Sequence, residues 1–206
     1  MTYDKQAVVV KSERMKKERL DVEYPVVVGL ADRKVEQYIN SVLASIVNAI
    51  IVKSGYYENP ATEVTGKFIV RTNRKGILSI SIEIYWFSGG AHGMTVLESV
   101  TFNVHTGKVY RLKDLFKDNA DYVTRLSDIV KRQIRERDIP VIVDFSSIAA
   151  DQDYYIEGKT LVIYFQLYEL VPYAYGFPLF PIPTREISDI IKKGGPLDVL
   201  SSHRIK

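Results

Sequence analysis

A histidine set among glycines is the part of this sequence where chemistry is easiest to place. Residues 88–93, here called the SGGAHG loop, read Ser-Gly-Gly-Ala-His-Gly and follow three consecutive aromatic residues, 85–87. Glycine permits backbone angles that other residues avoid and lets another group approach the main chain closely. A histidine that acts as a general base needs a nucleophile or a substrate proton within hydrogen-bond reach. Ser88, four residues before His92, is the candidate partner.

Three roles for His92 are open at this stage: bonding the main chain of a turn, contacting a ligand, or acting as a base with Ser88. The chain contains no Gly-x-Ser-x-Gly nucleophile elbow. Glycoside hydrolysis by two carboxylates is a further chemistry, for which Glu83 and Glu98 are candidates if the strands flanking the loop pair. Exposed polar positions of a sheet are the simpler explanation for both glutamates.

Metal and cofactor binding have little support in the sequence. There is no cysteine, and the histidines His92, His105 and His203 lack the close spacing of a zinc motif. No Gly-x-x-x-x-Gly-Lys phosphate loop is present, so no nucleotide is expected. Three acids have part of a calcium-loop spacing but lack its central glycine: Asp151, Asp153 and Glu157. We therefore predict no metal and no cofactor.

Aromatic side chains form a second class of candidate site. Residues 85–87 occupy consecutive strand positions, so at least one of them points away from the core. Segment 170–183 combines prolines with aromatics and cannot form a regular helix. Exposed aromatics on loops suit contacts with proteins or sugars, although covering a sheet edge explains them as well. The predicted ligand-binding residues are Trp86, Ser88, Gly89, Gly90, His92, Tyr173, Tyr175 and Phe177.

Hydrophobic periodicity predicts two long amphipathic helices. Apolar residues keep the i, i+3, i+4 spacing through 31–53, where Asp32 is the expected N-cap, and again through 119–137. A short final helix is expected over 185–192, ended by the glycines and proline that follow.

Alternating apolar and polar residues predict strands that tight turns connect. Tyr24-Pro25 should end the first strand region, because proline cannot donate to a ladder. The pattern predicts an α+β fold, a mainly antiparallel sheet packed against the two long helices. An N-terminal strand-strand-helix unit (1–60) and a C-terminal α+β unit with the SGGAHG loop (61–206) are expected to share one core. The strands are expected at 5–24, 62–72, 76–87, 94–104 and, as a hairpin that turns at 157–159, 154–167.

Composition argues against several classes of partner. The 206 residues include 28 basic and 25 acidic side chains, a net charge of +3 that is too balanced to indicate nucleic-acid binding. No signal-peptide pattern opens the chain, and no stretch approaches the roughly 20 apolar residues of a membrane helix. An anchor upstream of this chain remains compatible with the sequence.

Several short motifs occur in an order that resembles a known bacterial domain family. They are Tyr24-Pro25, Ile39-Asn40, the SGGAHG loop, Thr106-Gly107-Lys108, 112–116 (Leu-Lys-Asp-Leu-Phe), Tyr168-Glu169, 172–176 (Pro-Tyr-Ala-Tyr-Gly) and Ile182-Pro183. Over nearly the whole chain, this order is similar to the extracytoplasmic domain of unknown function in the anti-sigma factor RsiV. A similar domain precedes the catalytic domain of the peptidoglycan deacetylase PdaC. The resemblance implies an extracytoplasmic, envelope-facing domain, which senses lysozyme by direct binding in RsiV-like proteins.

The resemblance and the two aromatic loops favour a non-enzymatic binding or sensing domain. The expected partner is a lysozyme-like protein or a peptidoglycan ligand, contacted by the SGGAHG loop and by the loop over 173–180. The alternative is a hydrolase or deacetylase-associated domain that acts on cell-wall material, with His92 as base and Ser88 or a nearby acid as its partner. A structural accessory domain that positions a neighbour is the third hypothesis.

Overall fold

The computed structural model describes residues 7–202, which form two compact units, one up to Val109 and one from Tyr110 onward. The predicted division at residue 60 stays a prediction. The first unit contains most of a six-stranded sheet and one helix. Its elements are β1 (Val9–Lys17), β2 (Leu20–Val28), α1 (Arg33–Lys53), β3 (Glu63–Arg74), β4 (Ile77–Phe87), β5 (Met94–Asn103) and, at its end, β6 (Val109–Tyr110).

The second unit contains a three-stranded sheet and two helices. A 3-10 turn at Leu112–Leu115 precedes the long helix, and another at Thr184–Ile187 follows the last strand. The elements are α2 (Tyr122–Glu136), β7 (Tyr154–Glu157), β8 (Thr160–Tyr164), β9 (Leu179–Pro183) and α3 (Pro196–Ser201).

The first sheet is mixed rather than antiparallel throughout. Its strand order is β1-β2-β3-β4-β5-β6. β2 and β3 pair in parallel over Leu20–Val22, whereas β1–β2, β3–β4 and β4–β5 are antiparallel pairs. Parallel neighbours cannot be joined by a tight turn and need a long crossover connection. The segment between β2 and β3, which contains α1, is that crossover.

The predicted α+β arrangement, a mainly antiparallel sheet packed against two long amphipathic helices, is wrong. There are two sheets, the six-stranded mixed one and a three-stranded antiparallel one in the order β7-β8-β9. The two longer helices, α1 with 21 residues and α2 with 15, belong to different units. Alternation in a sequence reports which face of a strand is buried and does not report which strand it pairs with. The sequence pattern therefore could not separate the two sheets.

Helix α1 begins where the sequence predicted and covers the first sheet. The carboxylate of Asp32 accepts hydrogen bonds from the N–H groups of Lys34 (2.8 Å) and Val35 (3.3 Å), as an N-cap does. Burial of each large apolar side chain contributes about 1.5–3 kcal/mol. The buried face joins the core formed by β2 to β5 and consists of Ile39, Leu43, Val47, Ile50 and Ile51.

Contrary to the expectation that no stretch approaches a membrane helix, the length and apolar composition of α1 would allow it to cross a membrane, alone among the helices of residues 7–202. A helix that buries one face in a protein core has the same properties. Because α1 buries Ile39, Leu43 and Val47 in the core it shares with the sheet, packing accounts for its composition.

An asparagine of α1 replaces the strand that β2 lacks on one side. The amide of Asn40 accepts a hydrogen bond from the N–H of Val27 and donates one to its carbonyl, both at 2.8 Å. β3 pairs with β2 only as far as Val22, so Val27 has no partner strand there. Pro25 also lies beyond that segment, and β2 continues through it to Val28, contrary to the prediction that Tyr24-Pro25 ends the strand.

Side chains of α2 donate hydrogen bonds to backbone carbonyls of β9, an edge strand of the second sheet, in the same way. Gln133 donates to the carbonyl of Pro181 (2.9 Å), and Arg137 donates to the carbonyl of Leu179 (2.8 Å). The guanidinium of Arg137 also lies over the ring of buried Phe180, 5.7 Å from its centroid. Unpaired strand edges otherwise expose a row of polar backbone groups.

The chain after β9 differs from the predicted final helix over 185–192. It forms the 3-10 turn at Thr184–Ile187, and α3 follows from Pro196. Proline is favoured at the first position of a helix because its missing N–H has no helical partner there. The sequence signal taken for the end of a helix was therefore the beginning of one.

We predict that Asn40→Ala destabilises the first unit. Truncation leaves the backbone N–H and C=O of Val27 without their partner, which costs about 1–3 kcal/mol for an unsatisfied buried group. Urea unfolding followed by circular dichroism measures the change. Asn48→Ala, an exposed asparagine on the same helix, is the matched control. Equal stability of the two variants would contradict the assignment.

Glu36 should make folding sensitive to acid. Its pKa is lowered, first because its carboxylate accepts a hydrogen bond from the N–H of Leu30 (2.8 Å), and also because Arg33 donates to it. A lowered native pKa stabilises the fold above the unfolded pKa of about 4.3, and this stabilisation is lost as the pH falls through the native value.

Unfolding free energies measured between pH 7 and pH 3 test this. Glu36→Gln should flatten the acid limb of the curve, because glutamine keeps an acceptor for Leu30 but does not titrate. Glu18→Gln, at an exposed glutamate of the same unit, should leave that limb unchanged. A wild-type slope retained by Glu36→Gln would show that other carboxylates carry it.

Candidate functional site

The SGGAHG loop joins β4 to β5 at one end of the first sheet. The strands pair up to Trp86 opposite Met94, and β3 pairs with β4 up to Glu63 opposite Phe87. The loop therefore leaves a paired hairpin whose last residues are held from both sides. Trp86 is half-buried and packs against the core of the first unit.

The loop is open to solvent along most of its length. Residues 88–92 are all exposed. Gly89 and Gly90 have φ of +92° and +103°, a region that side chains rarely adopt, and a Cβ at either would meet no atom within 4 Å. These glycines serve the backbone conformation of the turn and leave its main chain accessible to a ligand.

Ser88 and His92 do not hydrogen-bond to each other. The Ser88 hydroxyl shares a hydrogen bond of 2.9 Å with the hydroxyl of buried Thr62. His92 Nδ1 donates to the carbonyl of Gly93 at 2.9 Å, within its own turn. A serine nucleophile needs its base within hydrogen-bond reach, so this geometry is that of a structured loop and offers no paired nucleophile and base.

Tyr85 presents an aromatic surface beside the loop. Its side chain is 39% exposed, and its ring lies against Gly93, where a Cβ would come within 2.4 Å of the ring and of the carbonyl oxygen of Trp86. Gly93 is therefore needed for a close approach and not for an unusual φ. The sequence showed that one of the residues 85–87 must point outward, and Tyr85, which was not among the predicted site residues, is the exposed one.

The two glutamates considered for glycoside chemistry lie on opposite faces of the sheet. Glu83 pairs with Leu97, whereas Glu98 pairs with Ile82. Residues directly opposite each other in an antiparallel pair share a face, and successive residues alternate, so this register separates the two carboxylates. Glu83 instead forms an ion pair with Lys67 (3.3 Å) across the neighbouring strand.

Within residues 7–202, no three His, Asp or Glu side chains lie close enough together to hold a metal ion. His92 and His105 stand beyond opposite ends of β5. His203 lies outside the described residues. Asp153, one of the acids with calcium-like spacing, accepts a hydrogen bond from the amide of Gln166 (2.8 Å).

The other predicted site residues belong to the second unit. Tyr173 to Tyr175 form a 3-10 turn that Gly176 ends with a φ of 80°. Tyr175 is exposed, whereas Phe177 is half-buried and Phe180 is fully buried. The loop thus divides its aromatics between the core and the surface.

Tyr168 extends this aromatic surface. Its ring packs against that of Tyr173 with 5.4 Å between centroids and 30° between planes, and its side chain is exposed. Tyr168 has a φ of 65°, which is uncommon for a residue with a side chain. Tyr168 was not among the predicted site residues, because no local sequence pattern indicates that aromatic residues five positions apart stack.

Two family models match separate parts of the chain. Residues 11–95 match the model described as Deacetylase PdaC, and residues 113–185 match the model described as Protein of unknown function (DUF3298). The first match contains the whole SGGAHG loop, and the second contains the 3-10 turn at Tyr173–Tyr175.

Two proteins of Bacillus subtilis (strain 168) are similar to this chain. The anti-sigma-V factor RsiV is 28% identical over 200 residues, which are 84% of this chain and 65% of RsiV. The peptidoglycan-N-acetylmuramic acid deacetylase PdaC is 26% identical over 132 residues, which are 58% of this chain and 27% of PdaC. The chain thus spans about a quarter of one relative and less than two thirds of the other.

Two solved structures of DUF3298 family proteins share the fold. The protein from Bacteroides fragilis superposes with a TM-score of 0.69 at 14% identity, over 94% of this chain and 96% of its own. The protein from Pseudomonas aeruginosa PAO1 gives 0.68 at 13% identity, over 98% and 99%. The resemblance inferred from the ordered sequence motifs is confirmed.

Gly93→Ala should destabilise the hairpin that carries the loop. The added methyl group meets a backbone carbonyl as well as the Tyr85 ring, and overpacking of this kind costs about 1–3 kcal/mol. Thermal unfolding measures the loss, and Trp86 fluorescence reports the displaced strand end. Ala91→Ser, at an exposed position of the same loop, should unfold like the wild type. A Gly93→Ala variant of unchanged stability would show that the Tyr85 ring and the Trp86 carbonyl move aside without destabilising the fold.

Proposed function

We propose, from the similarity of this chain to parts of RsiV and PdaC, that it is an envelope-facing binding or sensing domain without catalysis of its own. Its ligand is a protein or a cell-wall glycan, and the SGGAHG loop is the primary contact. The observation that carries the proposal is the state of that loop, in which residues 88–92 are exposed while Ser88 and His92 are bonded to other protein groups.

The chemistry of the loop suits recognition. Two glycines with positive φ leave main-chain N–H and C=O groups approachable, and the exposed ring of Tyr85 offers an apolar face beside them. Sugars and protein surfaces both present apolar faces edged by hydroxyl or amide groups, and recognition of either combines aromatic contact with hydrogen bonds. Because the loop emerges from a paired hairpin, a ligand would meet a surface that is already ordered, which lowers the entropic cost of binding.

The tyrosines of the second unit are a second proposed contact surface. Tyr168 and Tyr173 hold each other in place, and Tyr175 is exposed next to them in the chain. Rigid aromatic residues on loops are favoured contacts because they bury a large area with few rotatable bonds. Phe177, which follows this turn, is half-buried and offers a smaller exposed area.

The names of the relatives support the class of function rather than a particular activity. RsiV is an anti-sigma factor, and PdaC is a deacetylase of peptidoglycan N-acetylmuramic acid. Because this chain covers only part of each relative, the similarity does not assign the activity of either whole protein to it. An extracytoplasmic location is part of the proposal, and the envelope context of the two relatives supports it.

Fluorescence of the single tryptophan tests the proposal, because Trp86 lies two residues before the loop. Soluble peptidoglycan fragments are titrated into the protein, and lysozyme binding is measured in parallel by isothermal titration calorimetry, because lysozyme contains tryptophan of its own. We expect a saturable change with one of them, weakened at least about tenfold in His92→Ala or Tyr85→Ala, as for a contact residue worth more than about 1.4 kcal/mol. Tyr57→Ala, at an exposed tyrosine of the same unit, is the matched control.

Three results would count against this function. Saturable binding that survives both loop variants would move the site away from SGGAHG, and absence of binding to either ligand would remove the proposed ligand classes. Turnover of the glycan that Ser88→Ala abolishes would replace a binding domain by a hydrolase.

A further inference from the structure

A strongly basic cavity lies in the second unit, formed by four segments that are distant in sequence. Its volume is about 530 Å³, within the range of roughly 300–1,000 Å³ typical of small-molecule sites. Lys117 follows the 3-10 turn at Leu112–Leu115, and Lys159 lies in the β7–β8 turn. Arg185 lies in the 3-10 turn that follows β9, and Lys193 precedes α3. None of these residues was singled out by the sequence analysis.

Backbone hydrogen bonds hold these segments together in pairs. The N–H of Lys117 donates to the carbonyl of Ile190 (2.9 Å), and the N–H of Lys192 donates to that of Leu115 (3.0 Å), which joins the first and fourth segments. The N–H of Thr184 donates to the carbonyl of Lys159 (3.0 Å), which joins the second and third. The cations are therefore gathered by the fold itself.

Cationic side chains outnumber carboxylates among the residues that line the cavity. Four cationic side chains line it, and Asp198 is the single carboxylate among its lining residues. One oxygen of Asp198 already accepts a hydrogen bond from the N–H of Gly194 (2.8 Å). Neither Arg185 nor Lys193 has a carboxylate partner in the described part of the chain, whereas the adjacent Lys192 pairs with Asp118 at 2.7 Å.

Further groups in the cavity are positioned before any ligand arrives. The Lys117 ammonium donates to the carbonyl of Asp189 (2.6 Å), which fixes its place without neutralising its charge. The hydroxyl of Ser201 donates to that of buried Thr184 (2.7 Å). Ile191, also buried, adds an apolar wall.

We infer that this cavity binds a phosphate group carried by a larger anion. Phosphate presents several strong acceptor oxygens around one centre, which suits an arginine and lysines that arrive from separate directions. The hydroxyl of Thr184, which accepts a hydrogen bond from Ser201, keeps its own O–H as a neutral donor. The volume exceeds that of a lone phosphate, so the remaining space takes the group that bears it, either a small phosphomonoester or a segment of a phosphate-containing polymer.

This site is independent of the proposed function. Its residues belong to the second unit, and none of them is part of the SGGAHG loop or the tyrosine surface. The two proposals can fail separately, because loop variants and cavity variants remove different side chains.

Isothermal titration calorimetry of the whole chain with inorganic phosphate, glucose 6-phosphate and polyphosphate tests the inference. We expect saturable binding that the double variant Arg185→Gln/Lys193→Gln weakens about tenfold or more, since each lost charge-assisted hydrogen bond removes about that factor. Arg185→Lys/Lys193→Arg, which keeps both charges, should retain most of the affinity. Stronger binding of glucose 6-phosphate indicates a small ligand, and stronger binding of polyphosphate indicates a polymer; both support a phosphate site.

A control variant distinguishes a specific binding site from general electrostatic attraction. Lys113→Gln/Arg135→Gln removes one lysine and one arginine at exposed positions outside the cavity of the same unit. Equal weakening by both double variants would overturn the site, as would citrate binding as tightly as phosphate or the absence of saturable binding by all three probes. Thermal unfolding of each variant verifies that the second unit is folded.

Discussion

The constraint on which both units depend is that the edge of a strand must find hydrogen-bond partners. In the first unit, β3 leaves β2 after Val22, and the amide of Asn40 takes the place of a strand at Val27. In the second unit, Gln133 and Arg137 of α2 bond carbonyls of β9. A helix side chain that hydrogen-bonds to the backbone of an edge strand also fixes the helix over its sheet. One interaction therefore both satisfies the backbone groups of the strand and positions the helix for packing.

The candidate sites lie at the ends of strands that are anchored by pairing or by helix side chains. The β4–β5 hairpin, paired up to Trp86, carries the SGGAHG loop into solvent. In the second unit, the 3-10 turn at Tyr173–Tyr175 precedes β9, and the 3-10 turn that contains Arg185 follows it. Because α2 bonds this strand, both surfaces begin from an anchored backbone. Loops on a rigid scaffold can be exposed without being disordered, which is the usual design of a binding surface.

The two sites use different physics. The SGGAHG loop and the tyrosines offer main-chain groups and aromatic faces with little charge, which suits sugars or protein surfaces. The cavity between Lys117, Lys159, Arg185 and Lys193 offers concentrated positive charge over an apolar wall. A chain with a net charge of only +3 hides this concentration, because summed charge carries no information on where charges meet.

Local features were accessible from the sequence because they depend on residues only a few positions apart. The N-cap at Asp32, the helix that follows it, the turn between β7 and β8 and the hairpin loop at SGGAHG all agree with the sequence patterns. The ordered motifs also identified the relatives correctly. Such signals come from helical or strand periodicity and from glycine, which act over one turn or one hairpin.

Only the tertiary structure decided which elements meet. The parallel pairing of β2 with β3, the division into two sheets and the register that sends Glu83 and Glu98 to opposite faces depend on contacts between distant residues. The same holds for the basic cavity, whose four cations come from segments spread over 117–193. An alternating pattern indicates which face of a strand is buried, and a lysine in a sequence indicates a positive charge but not its neighbours. Their partners are chosen by the packing of the whole unit, which no local pattern contains.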